Sequence, residues 1–164
     1  MSLAGPPEFD ELFRHEYPLV VGSLSLVLGD RSAAEDVAQD AFAQLLLHWR
    51  KVSRYERPGA WVRRVALRMA LRWRTRRAAE TQALRLVDAP AARPAPDPDL
   101  LRALRELPAI QRAAVVLHYL EDRSVAEVAD LLGCAEGTAK THLHRARRRL
   151  SALLRDGEES DVTR

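Results

Sequence analysis

Apolar residues along this chain recur at intervals of three and four, the period of a helix. Phe9, Leu12, Phe13, Tyr17 and Val20 keep that rhythm across Pro18. It is stricter in Ala34, Val37, Ala38, Ala41, Phe42, Leu45, Leu46 and Trp49. Asp30 or Ser32 can cap this second helix, and Glu35, three residues after Ser32, fits a capping box. Val52 to Gly59 reads as a loop, and a third helix is predicted from about Ala60 to Arg77. There Trp61, Val65, Met69 and Trp73 form one stripe, and Arg64, Arg68, Arg72 and Arg76 the next. In the second half, Leu100 to Leu107 is a short helix, and Pro108 suits the first position of another, where its missing amide costs nothing. Ile110, Ala113, Ala114, Leu117 and Leu120 give that helix its apolar side. Ser124 and Glu127 make a capping box, Val125, Val128, Ala129 and Leu132 face inward, and Gly133 closes the helix. A longer basic helix is predicted from near Thr138 through Leu150, with Leu143, Ala146 and Leu150 inward. A capped helix, a glycine turn and a basic helix make a helix-turn-helix. The fold class is therefore all-α.

Between the halves, Ala89 to Pro98 reads APAARPAPDP, and four of those ten residues are proline. Proline has no amide for a helix ladder, so this is an extended spacer. The expected organisation is two small helical domains joined by a Pro-rich linker. Residues 1–80 form the first domain, 81–98 the linker, 99–155 the helix-turn-helix domain and 156–164 an acidic tail.

Charge adds to this picture. The 164 residues carry a formal net charge of only +3, but the sign alternates along the chain. Residues 1–50 hold eight acidic and three basic residues, whereas 51–87 hold eleven basic and two acidic. Residues 99–136 are again acidic, and 137–155 contain six basic residues and no acidic one. Two separated basic blocks suit two contacts with a polyanion, or two solvated helix faces. Cys134 is the only cysteine, so no internal disulfide can form. With no signal-peptide pattern and no membrane-length apolar stretch, the expectation is a cytoplasmic protein.

Three constellations carry candidate chemistry. Asp36, Gln39 and Asp40 form a polar, acidic face opposite the apolar stripe of the second helix, either a solvated surface or a docking face for a basic partner. The Arg64, Arg68 and Arg72 ladder places like charges one turn apart, which costs helix stability. No acidic residue within that helix relieves it. Beside Trp61, such a ladder suits a phosphate backbone and unstacked bases. On the outer side of the C-terminal basic helix lie Thr138, Lys140, Thr141, His144, Arg145 and Arg148, placed to enter a major groove. No glycine-rich phosphate loop is present, and the five histidines share no metal-ligand spacing with Cys134. The expectation is no enzyme, no metal and no cofactor. An autonomous helix-turn-helix regulator is an alternative reading, but it leaves the first half without a role.

Together these segments resemble the extracytoplasmic-function group of bacterial RNA polymerase sigma factors. Asp30 to Trp49 resembles the family's polymerase-binding helix, Pro58 to Arg77 its promoter-melting helix, and Leu107 to Leu150 its C-terminal domain. The resemblance implies that Asp36, Gln39 and Asp40 bind core polymerase. It implies that Trp61, Arg64, Arg68 and Arg72 engage the minus-ten element, and that the C-terminal helix reads the minus-thirty-five element. It also implies core RNA polymerase and promoter DNA as partners and leaves room for an anti-sigma factor. The chain departs from the family pattern at Arg68, usually Asn, and Arg72, usually Asp. Ala139 stands where Val is usual and His142 where Arg is usual, which implies an unusual promoter sequence.

Overall fold

A computed structural model describes residues 5–77 and 97–162. Most of the expected linker lies outside the described residues. The chain divides into two compact units, Met1–Asp88 and Ala89–Arg164. The described residues are helical, with no strand among them.

The first unit contains α1 (Pro7–Leu28), α2 (Arg31–Leu47), the single-turn α3 (Trp49–Val52) and α4 (Pro58–Arg77). Helix α1 packs on both α2 and α4, and these two pack on each other. The core uses small residues to bring the helices close: Ala34, Ala38 and Ala41 of α2 and Ala66 and Ala70 of α4 are fully buried. Phe9, Val20, Val21, Leu24, Phe42, Leu45, Val52 and Val62 fill the rest. Phe42 meets Phe13 and Tyr17 edge-on at 5.0 and 5.6 Å, which seals one side of the bundle.

Local details differ from expectation where tertiary contacts decide them. Asp30, not Ser32, caps α2, its carboxylate accepting from the Ala33 amide at 3.2 Å. Glu35 pairs instead with Arg31, one turn earlier, at 2.9 Å. The second helix ends at Leu47, and Trp49, expected in it, belongs to the separate α3, which reaches the first residue of the expected loop at Val52. Pro58 and Gly59 are the first residues of α4, not the end of a loop, because proline is well suited to a first turn. The stripe Trp61, Val65, Met69 and Trp73 is half-buried and flanks the core, whose own α4 stripe is Val62, Ala66 and Ala70.

The second unit contains α5 (Pro98–Arg105), α6 (Ala109–Val115) running into a π-helical turn (Val116–Leu120), α7 (Val125–Leu132) and α8 (Glu136–Val162). Asp97 caps α5 and Pro98 is its first residue, so the helix takes in the last residue of the expected linker. Pro108 is the cap of α6, not its first helical residue. Leu104, Leu107, Val115 and Ala146 form a buried cluster flanked by Leu100 and Leu150. Within it Arg112 is fully buried. Its Nη2 donates to the carbonyls of Arg105 at 2.7 Å and Leu107 at 3.1 Å, satisfying acceptors at the end of α5.

The capping box of α7 forms as expected. The Glu127 amide donates to the Ser124 hydroxyl at 3.1 Å, and the Ser124 amide to the Glu127 carboxylate at 2.8 Å. These bonds, with Arg123 nearby, hold the Glu127 carboxyl below its ordinary range. Gly133 takes φ 70° and ψ 35°, a left-handed conformation that costs other residues strain. Helix α8 starts at Glu136, earlier than the expected Thr138, because the turn is tight enough for the Ala139 amide to bond the Ala135 carbonyl at 3.0 Å. It also runs beyond Leu150 to Val162, through most of the expected acidic tail. Gly157 is the only strong helix-breaker in that stretch.

Candidate polymerase and nucleic-acid interfaces

Asp36, Gln39 and Asp40 are all exposed on α2, opposite Ala34, Val37, Ala38 and Ala41. The same side continues through exposed Ala43 to Leu47, which is 76% exposed and stands beside partly exposed Leu46. The sequence reading assigned Leu46 to the core and missed both residues as surface. The signal was present in the run Leu45-Leu46-Leu47, which is wider than one buried stripe needs.

The arginines of α4 divide into two groups. Arg68, Arg72 and Arg76 are exposed and Arg64 is half-buried, so the ladder runs from the domain surface outward. Arg63 and Arg74 point elsewhere. The Arg63 Nε donates to the Glu16 carboxylate of α1 at 2.6 Å. Nη1 of Arg74 donates to the Leu28 carbonyl at the end of α1 at 3.2 Å, and burial lowers its pKa. Arg63 and Arg74 thus anchor α4 to α1, while Arg68, Arg72 and Arg76 stay exposed one turn apart. Like charges at this spacing cost about 0.2–0.5 kcal/mol per pair, a loss that a polyanion would reverse. Trp61 is half-buried against the core, with its ring 5.8 Å from the exposed His48 ring. Tyr55, 41% exposed between Arg54 and Arg57 in the loop before α4, adds an aromatic not expected at this surface.

On α8, Thr138, Lys140, Thr141, His144, Arg145 and Arg148 are all exposed, while Ala139, Leu143 and Ala146 are buried. The earlier start places Lys140 and Thr141 beyond the first turn, where Glu136 and Gly137 stand instead. Thr141 donates its hydroxyl to the Gly137 carbonyl at 3.0 Å and keeps its oxygen free to accept. His142 is half-buried, and its Nδ1 has no hydrogen-bond partner among the described residues. Burial, and then the charge of Arg145, lower its pKa, so it stays neutral and does not extend the basic face. Among the described residues no group of three His, Cys, Asp or Glu side chains could hold a metal, and no helix is long and apolar enough to cross a membrane. Cys134 is half-buried in the turn and free.

An Arg ladder on one helical unit and a basic recognition helix on the other define a two-domain, all-α DNA-binding protein. Comparison with known proteins narrows this class. The sigma-70 region 2 profile matches residues 12–80, and the sigma-70 region 4 profile matches residues 98–150. The ECF RNA polymerase sigma factor SigM of Mycobacterium tuberculosis is 37% identical over 152 residues, spanning 89% of this chain and 76% of that protein. The RNA polymerase sigma-E factor of Streptomyces coelicolor is 32% identical over 152 residues, spanning 90% and 86%. Among solved structures, CnrH in complex with the cytosolic domain of CnrY has a TM-score of 0.61 and 27% identity, covering 90% of this chain and 88% of that one. The sigma factor RpoE, in complex with the anti-sigma factor NepR from Bartonella quintana, has a TM-score of 0.77 at 24% identity. It covers 92% of this chain and 98% of that one and speaks for the fold alone.

The chain belongs to the extracytoplasmic-function group of RNA polymerase sigma factors. It is an alternative sigma factor, a regulatory protein that binds core RNA polymerase and directs promoter recognition and transcription initiation. The region 2 match gives the first half a role that an autonomous helix-turn-helix regulator leaves empty.

Proposed function

We propose that three exposed faces divide the work of initiation. The Asp36, Gln39 and Asp40 face of α2, extended by Leu47, docks on a basic surface of core polymerase with an apolar rim. Arg64, Arg68 and Arg72 of α4, with Trp61, hold the minus-ten region as its strands separate. Thr138, Lys140, Thr141, His144, Arg145 and Arg148 of α8 engage the minus-thirty-five element in the major groove. The observation that carries this reading is the same on all three helices. Each polar cluster lies on the side of its helix away from a stripe of buried residues, and Asp36 and Asp40 of α2, Arg68 and Arg72 of α4, and Lys140, Arg145 and Arg148 of α8 are exposed.

The chemistry is binding and deformation of DNA, with no covalent step. Guanidinium groups pair with phosphates and release counterions, and aromatic rings offer stacking surfaces to unpaired bases. No catalytic residue, metal or cofactor is assigned, and the site of action is the cytoplasm, where core polymerase works. An anti-sigma factor is a further partner expected of this chain, and CnrH, at 27% identity, is likewise seen with a protein partner, the cytosolic domain of CnrY.

The test of this division is reversal of Asp36 and Asp40 to Arg in the full chain. Association with purified core polymerase should fall at least about tenfold, the effect of replacing favourable interfacial charges with repulsive ones. The thermal unfolding profile should stay near that of the wild type, since both side chains are exposed. Unchanged association would remove this face from the docking surface.

A further inference from the structure

We propose that Glu16 is a positioning residue for promoter opening: its carboxylate, set against Gly59 and paired with Arg63, fixes the first turns of α4 and so where Trp61 and Arg64 stand. The proposal rests on the reading that α4 engages the minus-ten region.

Glu16 belongs to α1, far from α4 in sequence. Its Oε2 accepts from the Arg63 Nε at 2.6 Å, and its Oε1 lies 3.2 Å from the His15 ring. The two side chains of the Glu16–Arg63 pair are only 12% and 21% exposed. The carboxylate also presses on the backbone of α4. A Cβ added at Gly59, the second residue of that helix, would stand 2.9 Å from both Cδ and Oε1 of Glu16. Glycine is what lets the acid come this near.

The N-terminal end of α4 needs such an acid. A helix start favours negative charge, yet the first turn of α4 contains no acidic residue, and Arg63 and Arg64 follow closely. Glu16 brings that charge from another helix. Desolvation offsets much of the attraction in a partly buried pair, so its net contribution to stability is small. Its geometric effect is large, because one carboxylate joins α1 to positions 59 and 63, one helical turn apart, with Trp61 between them and Arg64 next. A rotation or slide of α4 along α1 would break the contact with Arg63, with Gly59, or with both.

The experiment compares Glu16→Gln, Gly59→Ala and their double variant with wild type, using the full chain bound to core polymerase. Arg64, Arg68 and Arg72 replaced together by Ala serve as the reference for the α4 reading. Glu16→Gln keeps the shape and removes the charge. Gly59→Ala keeps the charge and drives the carboxylate away. Alanine is the better helix former, so if the contact with Glu16 carried nothing, Gly59→Ala would be neutral or improved. Both single variants are expected to bind core polymerase normally and to form closed complexes. Permanganate reactivity of the bubble on duplex promoters should fall about tenfold, a scale seen for coupled neighbours, and the double variant should be no worse than either. On a heteroduplex promoter already open at the minus-ten region, transcription should return to the wild-type level. Normal opening by both single variants, with the triple Arg variant defective, overturns the role of Glu16 and leaves the α4 reading standing. Normal opening by the triple variant overturns both. Equal loss on duplex and pre-opened promoters marks a folding defect and also overturns the positioning role.

Discussion

Single residues here do work that their neighbours in sequence do not reveal. Arg112 and Arg74 look like two more cations in an Arg-rich chain, yet each donates to a backbone carbonyl near a helix end, and Arg112 does so while fully buried. No periodicity marks such a role, because the carbonyls they meet lie at or just past the ends of other helices. His142 is a second case. Burial and the neighbouring Arg145 hold its imidazole below the ordinary value of 6.5, so the folded state resists protonation more than the unfolded chain does. The sign follows from proton uptake. The stability contributed by neutral His142 is complete above about pH 6.5 and declines as pH falls below it, where the unfolded chain binds the extra proton. Urea midpoints of wild type and His142→Gln, compared at about pH 7.5 and about pH 5.5, should show the wild type losing more on acidification. The other four histidines are common to both proteins. Equal losses in the two proteins would show that His142 carries no such penalty.

At the scale of helices, what could be read depended on how local the determinants were. The box of Ser124 and Glu127 and the left-handed Gly133 are set within a few residues, and both are found as expected. On α4 the large-residue stripe is easy to see in the sequence, whereas the stripe that is fully buried is made of small residues and is not. The interior is instead closed by Ala66 and Ala70 facing Ala34, Ala38 and Ala41 of α2, and the large side chains lie along its margin. The start of α8 was misplaced by two residues, since the tightness of the turn depends on how α7 and α8 pack. All thirteen residues named for the three faces are exposed except Trp61 and Arg64, which are half-buried. Periodicity could place them because it separates the buried side of a helix from the other. On α8 the exposed face should itself divide. On the proposed reading, Arg145, one turn beyond Thr141, would reach a base edge, and Arg148, a turn further, would grip phosphate. Promoter-library selection should show Arg145→Ala relaxing preference at one or two base pairs, each worth about 1–3 kcal/mol. Arg148→Ala should weaken every promoter alike and lower the salt slope by about one unit. An unaltered preferred sequence from Arg145→Ala would end its base-reading role.

At the scale of the whole chain, each unit contains its own core, one centred on the α1–α2–α4 contacts and one on Leu104, Leu107, Val115 and Ala146. Residues 1–88 and 89–164, expressed separately, should each give a helical spectrum and a cooperative transition. The intact chain should then melt with both transitions and depart from two-state behaviour. A single transition absent from both fragments would show that the units fold as one. The division also has a mechanical side. A pull along the linker enters the second unit at Asp97, the cap of the eight-residue α5. A helix that short has little strength of its own, and it would peel from α8 turn by turn. Its far end is clamped, because the guanidinium of Arg112 grips the carbonyls of Arg105 and Leu107 inside the core. Such a clamp would hold α5 on the core of its unit under load, and would keep in place the α8 helix that the proposed reading sets on the minus-thirty-five element.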